Sequence, residues 1–250
     1  SPFQVPERYL SLYPKLEGNR KIYAAMITAL DDAVAEIVKA IEDEKLGDNT
    51  LVVFSSDNGG PNPGKLSNNG ALRAGKGTVY EGGTRVVAFA SWPGKIPAGS
   101  VVNTPIHIAD WYPTLLKLTG APAEQKLPVD GSDILAALKG EKLPEREIVI
   151  NVSPNAGAIR AGDWKLVVKF GRGVDDEDGD AAAVAAPGRE AKIELYNLAE
   201  DVSEKNDLAA SLPDKVKELK ARYDTLASQA VAPKSKPKPA DFKTPAVWGE

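Results

Sequence analysis

The sequence contains no cysteine, a single histidine and no apolar run near the roughly 20 residues of a membrane-spanning helix. The lack of cysteine excludes a disulfide framework, a thiolate metal site and a cysteine nucleophile within this chain. The net charge of -4 argues against general nucleic-acid binding, which requires a basic face. Neither a membrane nor a nucleic acid is therefore an expected partner, and the cellular compartment stays open.

The overall composition is that of a soluble globular protein. Hydrophobic residues make up 42% and charged residues 26% of the 250 positions, which is ordinary for this class. The length is sufficient for one large domain or for a domain with a smaller companion.

The stretch 50–83 carries the strongest chemical signal in the chain. Its segment Leu51–Phe54 is short, apolar and partly β-branched, which predicts a strand buried on both faces, as in a parallel sheet. Asp57 and Asn58 follow at the strand end where ligands bind in α/β sheets. A carboxylate and an amide oxygen suit a hard cation such as Ca²⁺ or Mg²⁺ better than zinc. The pair Gly59-Gly60 permits a sharp turn that leaves such a site uncrowded.

A lysine in a glycine-rich loop follows the predicted ion site. Lys76 lies between Gly75 and Gly77, so its backbone has room to approach an anion closely. Its ammonium group is a mobile point charge that can reach an anionic group. Arg73 and Arg85 are alternative anion contacts, although a structural role is favoured for each. An ordinary turn at 57–60 and a merely solvated lysine are the alternatives. The combination of a buried strand, ion-type ligands at its end and a lysine loop soon after favours an anionic ligand that is held through a hard cation.

Several separate motifs resemble one family and occur in that family's order. The segments SSDNGG, GALRAGKGTVYEGGTR and HIADWYPTLLKLTG are similar to the second half of type I (formylglycine-dependent) sulfatases of the arylsulfatase kind. The resemblance implies that Asp57 and Asn58 are calcium ligands, with magnesium as the alternative ion. It implies that Lys76 contacts the sulfate as a catalytic and substrate-binding residue. It also implies a sulfate-ester substrate, either a sulfated polysaccharide or an aryl sulfate, and a periplasmic or secreted location.

The nucleophile that the resemblance implies has no counterpart in this sequence. The family makes a formylglycine from Cys or Ser in a Cys/Ser-x-Pro-x-Arg sequence, whereas the serine match at 211–215, SLPDK, ends in lysine and is interpreted as a helix start. We therefore expect the formylglycine on a segment upstream of Ser1, or on a separate chain that carries the missing half. The isolated chain is expected to be inactive. It is also expected to expose apolar surface where the other strands belong.

Two structural parts are predicted. Residues 1–144 are expected to form the carboxyl-terminal portion of an α/β catalytic domain, with part of an alkaline-phosphatase-like sheet and a helix over Asn19–Leu46. Residues 145–250 are expected to form a smaller α+β subdomain with an antiparallel sheet that includes a candidate hairpin at Gly162-Asp163, a helix from 208 to 230 and an extended basic tail. The acidic segment 171–191 is interpreted as a solvated insertion.

Two other functions stay open on the sequence. A phosphatase or phosphonate hydrolase of the alkaline phosphatase superfamily is one, but such sites use more histidine ligands than a chain with His107 alone offers. His107 precedes a predicted helix that Asp110 could cap, and a structural or supporting role is favoured for it over acid–base catalysis. A non-catalytic module that binds sulfated glycans is the other alternative.

Overall fold

The computed structural model describes residues 3–61, 63–122, 124–153, 156–169 and 191–229.

The longest helix, α2, confirms the helix predicted from apolar spacing. It covers Gly18–Asp43, and a short helix, α1, covers Glu7–Leu10. The chain leaves α2 through Lys45, which has a φ of 55°, so the helix ends before Gly47 rather than at it. Although α2 has 26 residues, no helix in the described part of the chain is long and apolar enough to cross a bilayer.

Two short strands form an antiparallel ribbon. Strand β1 is Val52–Ser55 and strand β2 is Ala88–Ser91, and the rings of Phe54 and Phe89 stack between them at 4.9 Å. The prediction that β1 is buried on both faces in a parallel sheet is wrong for the described residues. A strand is buried on both faces only when other layers cover both. Here exposed and half-buried residues alternate along β1.

A four-stranded antiparallel sheet confirms the sheet predicted for the second part. Its strands are β3 (Glu147–Ser153), β4 (Ala156–Ala161), β5 (Trp164–Lys169) and β6 (Lys192–Asn197), and they lie in sequence order. The predicted hairpin turn joins β4 to β5, because Gly162 adopts the positive φ of 57° that this turn requires.

Each face of this sheet is covered by a different part of the chain. Helix α6, Pro213–Ala227, places Leu219 and Tyr223 on one face, and its start confirms the interpretation of the SLPDK segment as a helix start. The core on that face also contains Ile159, Leu166, Val168 and Leu195. Val79 and Tyr80, from the stretch that carries Lys76, pack on the opposite face with Ala158, Val167, Tyr196 and Leu198.

Three further α-helices occur in the described part of the chain, the first between the two strands of the ribbon in sequence and the other two between the ribbon and the sheet. They are α3 (Glu81–Thr84), α4 (Trp111–Thr119) and α5 (Leu135–Leu138). Helix α4 ends at Gly120, which adopts a left-handed φ of 67°, and Leu115 on this helix is 45% exposed.

The division at residues 144 and 145 stays a prediction, and buried contacts described below cross it. The acidic insertion lies outside the described residues apart from Ala191, and the basic tail lies wholly outside them.

Candidate functional site

The turn after β1 presents the two predicted cation ligands. Asp57 is exposed and Asn58 is half-buried. The Asn58 amide nitrogen donates to the Gly59 carbonyl at 3.0 Å, and the Ser56 hydroxyl donates to the Asn58 carbonyl at 2.9 Å. The amide nitrogen of Asn58 is therefore used within the turn, which leaves its Oδ1 as the atom that can face a cation.

The structure brings the backbone of Lys76 to this turn. The Lys76 N–H donates to the Gly60 carbonyl at 3.2 Å, while its side chain is exposed. The side chain of Asn69 links the same two segments. Its Oδ1 accepts from the Gly60 N–H at 3.0 Å, and its Nδ2 donates to the Ala74 carbonyl at 2.8 Å. These hydrogen bonds make the loop that carries Asn69 part of the framework around the turn.

Glycines let these segments pack backbone against backbone. A Cβ atom on Gly59 would lie 1.7 Å from the Gly82 carbonyl oxygen, and one on Gly75 would lie 2.4 Å from the Gly60 carbonyl oxygen. Both distances are far below van der Waals contact. The sequence assigned Gly59 to a turn that leaves an ion site uncrowded and Gly75 to close approach of an anion. The structure shows that both glycines are required for close packing between loops.

The donor set fits part of a calcium site. Ca²⁺ takes about six to eight oxygen ligands, and Asp57 with Asn58 supplies a carboxylate and an amide oxygen. No group of three or more His, Cys, Asp or Glu side chains in the described ranges is arranged to hold a metal ion. The two side chains therefore need oxygen ligands from elsewhere to complete a calcium shell.

Arg73 has a structural role. Its guanidinium lies 3.7 Å from the centre of the Tyr80 ring, and it donates to the Tyr196 hydroxyl at 2.8 Å and to the Glu204 carbonyl at 3.0 Å. These contacts hold the loop of Lys76 on the sheet. The side chain of Arg85 is 56% exposed and lies 3.8 Å from the Glu81 carboxylate.

A buried charge cluster beneath the loop was missed by sequence reasoning. Lys165 on β5 is fully buried and lies 2.9 Å from the Glu81 carboxylate and 2.8 Å from the Glu204 carboxylate. A second group joins Lys169 and Glu194 on neighbouring strands to Tyr80. Alternating lysines on a strand are ordinarily solvent-exposed, so the local pattern gave no sign that a distant segment covers them.

The pKa values of two buried glutamates shift in opposite directions. Burial opposes ionisation of Glu194, but hydrogen bonds from Lys192, Tyr80 and Tyr196 outweigh it and lower the pKa to about 2. Burial raises the pKa of Glu204 despite the nearby charge of Lys165. The two carboxylates therefore respond oppositely to acid.

Comparison with known proteins decides the family. The sulfatase family model matches residues 1–121. Mouse arylsulfatase J is 31% identical over 284 aligned residues, which cover 100% of this chain and 47% of that protein. The solved structure of Ps i-CgsB in complex with k-i-k-neocarrahexaose is 30% identical, with a TM-score of 0.75 over 91% of this chain and 47% of that one. The chain belongs to the sulfatase family.

This sulfatase chain spans about half the length of the relatives it matches. It has the fold of the carboxyl-terminal portion of sulfatases, within the alkaline-phosphatase-like class that the sequence predicted. The phosphonate monoester hydrolase of Agrobacterium radiobacter shares this fold at 20% identity and a TM-score of 0.56, over 84% of this chain and 41% of that one. That likeness shows the fold alone.

The single histidine of the sulfatase chain begins a helical turn. The Nδ1 atom of His107 accepts from the Ala109 N–H at 3.2 Å, and the His107 N–H donates to the Asp110 carboxylate at 2.6 Å. Asp110 is fully buried, accepts from the Ser132 N–H at 2.9 Å and pairs with Arg146 at 2.8 Å. His107 thus has the structural role that the sequence favoured, whereas Asp110 ties separate segments together instead of capping α4.

Proposed function

We propose that this chain is the carboxyl-terminal portion of an enzyme that hydrolyses sulfate esters. In this proposal Asp57 and Asn58 are calcium ligands, with magnesium as the alternative ion, and Lys76 contacts the sulfate. The observation that carries the proposal is the hydrogen bond from the Lys76 N–H to the Gly60 carbonyl, at 3.2 Å. It holds the lysine loop against the turn that presents the two oxygen ligands.

The reaction requires charge stabilisation on the sulfuryl group. Hydrolysis of a sulfate ester builds negative charge on the sulfuryl oxygens and on the leaving oxygen. A calcium ion, when bound, polarises those oxygens and orients the reacting groups. Lys76 contributes a positive charge at the same place, and its exposed side chain has the freedom to reach an anionic ester.

The nucleophile is expected outside these 250 residues. The sequence has no cysteine and no Ser-x-Pro-x-Arg stretch from which a formylglycine is made. The proposal therefore assigns the formylglycine to the other half of the sulfatase, on the same protein or on a separate chain. The isolated chain is expected to show no turnover.

A stripe of exposed apolar side chains on α2 supports contact between this chain and the other half of the sulfatase. Ile27, Leu30 and Ile37 are each more than half exposed, and their spacing places them on one face of the helix together with Val38. Phe89, on the ribbon, is 50% exposed as well. Contiguous exposed apolar surface marks interaction sites. We assign this surface to contact with the other half of the sulfatase.

The substrate class to test first is a sulfated polysaccharide, with aryl sulfates second. The saccharide complex of Ps i-CgsB supports this order, because that protein matches nearly the whole of this chain. Fold alone does not determine the substrate, since loops supply specificity.

The test compares the 250-residue chain with the intact protein that contains it, on sulfated oligosaccharides and an aryl sulfate. The intact protein is expected to hydrolyse at least one of them, and the chain alone none. Removing one charge-stabilising group costs about 10²- to 10³-fold in kcat. We expect such a loss for Lys76→Ala, with Lys65→Ala near wild type because Lys65 is an exposed lysine of a neighbouring loop. Asp57→Ala is expected to weaken calcium binding, and Asp48→Ala is the matched control.

Two outcomes would overturn the proposal. Faster turnover of a phosphonate monoester than of any sulfate ester by the intact protein would favour a phosphonate hydrolase. Binding of sulfated glycans by the intact protein without any turnover would favour a non-catalytic module.

A further inference from the structure

We propose that Lys165 is a positioning residue for the sulfatase site, acting through Glu81 on the two loops that carry Asp57, Asn58 and Lys76. This inference rests on the proposed function for its catalytic consequence. Its structural part, the coupling between the sheet and the loops, stands on contacts within the chain.

The first step is that helix α3 holds both loops. The Gly59 N–H donates to the Gly83 carbonyl at 2.9 Å, one residue after Asn58. The Gly82 N–H donates to the Arg73 carbonyl at 2.8 Å, at the start of the lysine loop. The two loops are therefore fixed to one another through α3 as well as through the bond between Lys76 and Gly60.

The second step is that these contacts are close-packed and leave no space for an added methyl group. A Cβ atom on Gly82 would lie 2.2 Å from the Ala74 carbonyl oxygen, and one on Gly83 would lie 2.4 Å from the Thr78 carbonyl oxygen. Main-chain atoms of α3 are thus in direct contact with the lysine loop. A displacement of α3 must move that loop, because close-packed elements transmit shifts.

The third step is that the sheet holds α3 through charge. The Glu81 N–H donates to one carboxylate oxygen of Glu204 at 2.7 Å, and Lys165 lies within 2.9 Å of both carboxylates. All three residues are buried. The other Glu81 oxygen accepts no hydrogen bond in the described part of the chain and lies 3.8 Å from Arg85 and 3.9 Å from Arg160.

Lys165 is consequently the charge on which this arrangement depends. Without its ammonium group, two buried carboxylates of like charge would face each other, and an uncompensated buried charge is strongly unfavourable. Separation of Glu81 from Glu204 relieves this repulsion, and Glu81 is the first residue of α3. The geometry therefore links the charge of Lys165 to the placement of the site loops.

The test uses two readouts, of which one does not depend on catalysis. Hydrogen exchange of the 250-residue chain is expected to accelerate in Lys165→Met at the amides of Gly59, Lys76 and Gly82. Leu219→Ala, which removes a buried side chain on the other face of the sheet, is the control for lost stability. Hydrogen exchange of Leu219→Ala and of Lys165→Met is compared at denaturant concentrations at which the same fraction of each variant is folded. In the intact enzyme, Lys165→Met is expected to lower kcat/KM by about tenfold or more relative to Leu219→Ala, as loop misplacement does.

The double variant Lys165→Met/Glu204→Gln lacks the charge of one of the two facing carboxylates. It is expected to regain part of the protection of the three amides against hydrogen exchange. If Lys165→Met does not fold, Glu81→Gln takes its place, because it removes the carboxylate charge that Lys165 contacts on α3 and leaves Lys165 paired with Glu204, and the same three amides are then expected to exchange faster. Equal acceleration at the three amides in Leu219→Ala would overturn the proposal, and so would unchanged exchange in Lys165→Met. An intact wild-type protein without sulfatase activity refutes the proposed function instead, and the exchange result then still decides the coupling.

Discussion

The four-stranded sheet and the two-stranded ribbon differ in how their apolar side chains are covered. The sheet has a buried core on each face, supplied by α6 on one side and by the stretch around Tyr80 on the other. The ribbon and α2 instead leave Phe89, Ile27 and Ile37 at least half exposed. The sheet is therefore stabilised by segments of this chain that cover both of its faces. The ribbon and α2 instead expose apolar surface that suits contact with a partner.

The strongest test of this comparison is a cavity in the sheet core. Leu219→Ala removes a side chain that is 1% exposed, and we expect it to lower the free energy of unfolding by about 2–5 kcal/mol. Leu212→Ala, just before the same helix, removes a side chain that is 38% exposed and is expected to cost much less. Urea denaturation measures both. Equal losses would mean that the sheet does not have the closed core described above.

The next effect in size concerns the loops that connect β1 to β2. Gly59→Ala places a methyl group against the Gly82 carbonyl, and overpacking of this kind costs about 1–3 kcal/mol or more. Gly47→Ala meets no atom within 4 Å and is expected to be neutral, or stabilising by up to about 1 kcal/mol. Thermal unfolding of both variants separates close packing from a general sensitivity of glycine positions. A stable Gly59→Ala protein would contradict the close packing.

A smaller effect should appear in the acid response of the sheet. Because the pKa of Glu194 is lowered to about 2, its contribution to stability is present above its ordinary pKa of 4.5 and is lost as the pH falls from 4.5 toward 2. In Glu194→Gln the free energy of unfolding should therefore depend less on pH between 4.5 and 2. Glu204 has a raised pKa, so its contribution is present below pH 4.5 and is lost as the pH rises through its folded-state value. Glu204→Gln should therefore leave the acid loss in place. Urea midpoints between pH 2 and 7 measure both, and an unchanged slope in Glu194→Gln would contradict the assignment.

The smallest change in stability is expected on α2. Ile37→Glu alters an exposed side chain, so the free energy of unfolding should stay within about 0.5 kcal/mol of wild type. Its effect should appear in light scattering, as reduced association of the isolated chain. Ala35→Glu introduces the same charge on the opposite side of the helix and serves as the control. A clean monomer for the wild-type chain would count against the apolar stripe as a contact surface.

Local patterns predicted the elements of this fold, because their causes are local. Helical spacing of apolar residues located α2, and alternation with a turn at Gly162 located the β4–β5 hairpin. The short apolar run at Leu51–Phe54 located β1 but not its pairing. Such a run has no alternation that could distinguish a covered parallel strand from an antiparallel ribbon.

The site could be predicted only in part. Asp57, Asn58 and Lys76 were predicted as site residues from a strand end and a glycine-rich loop, and Lys76 does lie by backbone contact at the turn after Asn58. Their binding of calcium and sulfate stays a prediction. The supporting charges were missed because Lys165 and Glu81 are separated by 84 positions. Nothing in the local sequence shows that a lysine on a strand is covered by a segment so far away.

The ion pair between the buried Asp110 and the half-buried Arg146 has a consequence for cleavage of the chain. The exposed residues 124–130 lie between these two side chains in sequence, and Asp110 also holds the Ser132 N–H on the far side of that stretch. A protease that cuts there would sever the backbone without releasing the contact. The two pieces should then migrate together in native gel filtration and part only in denaturant.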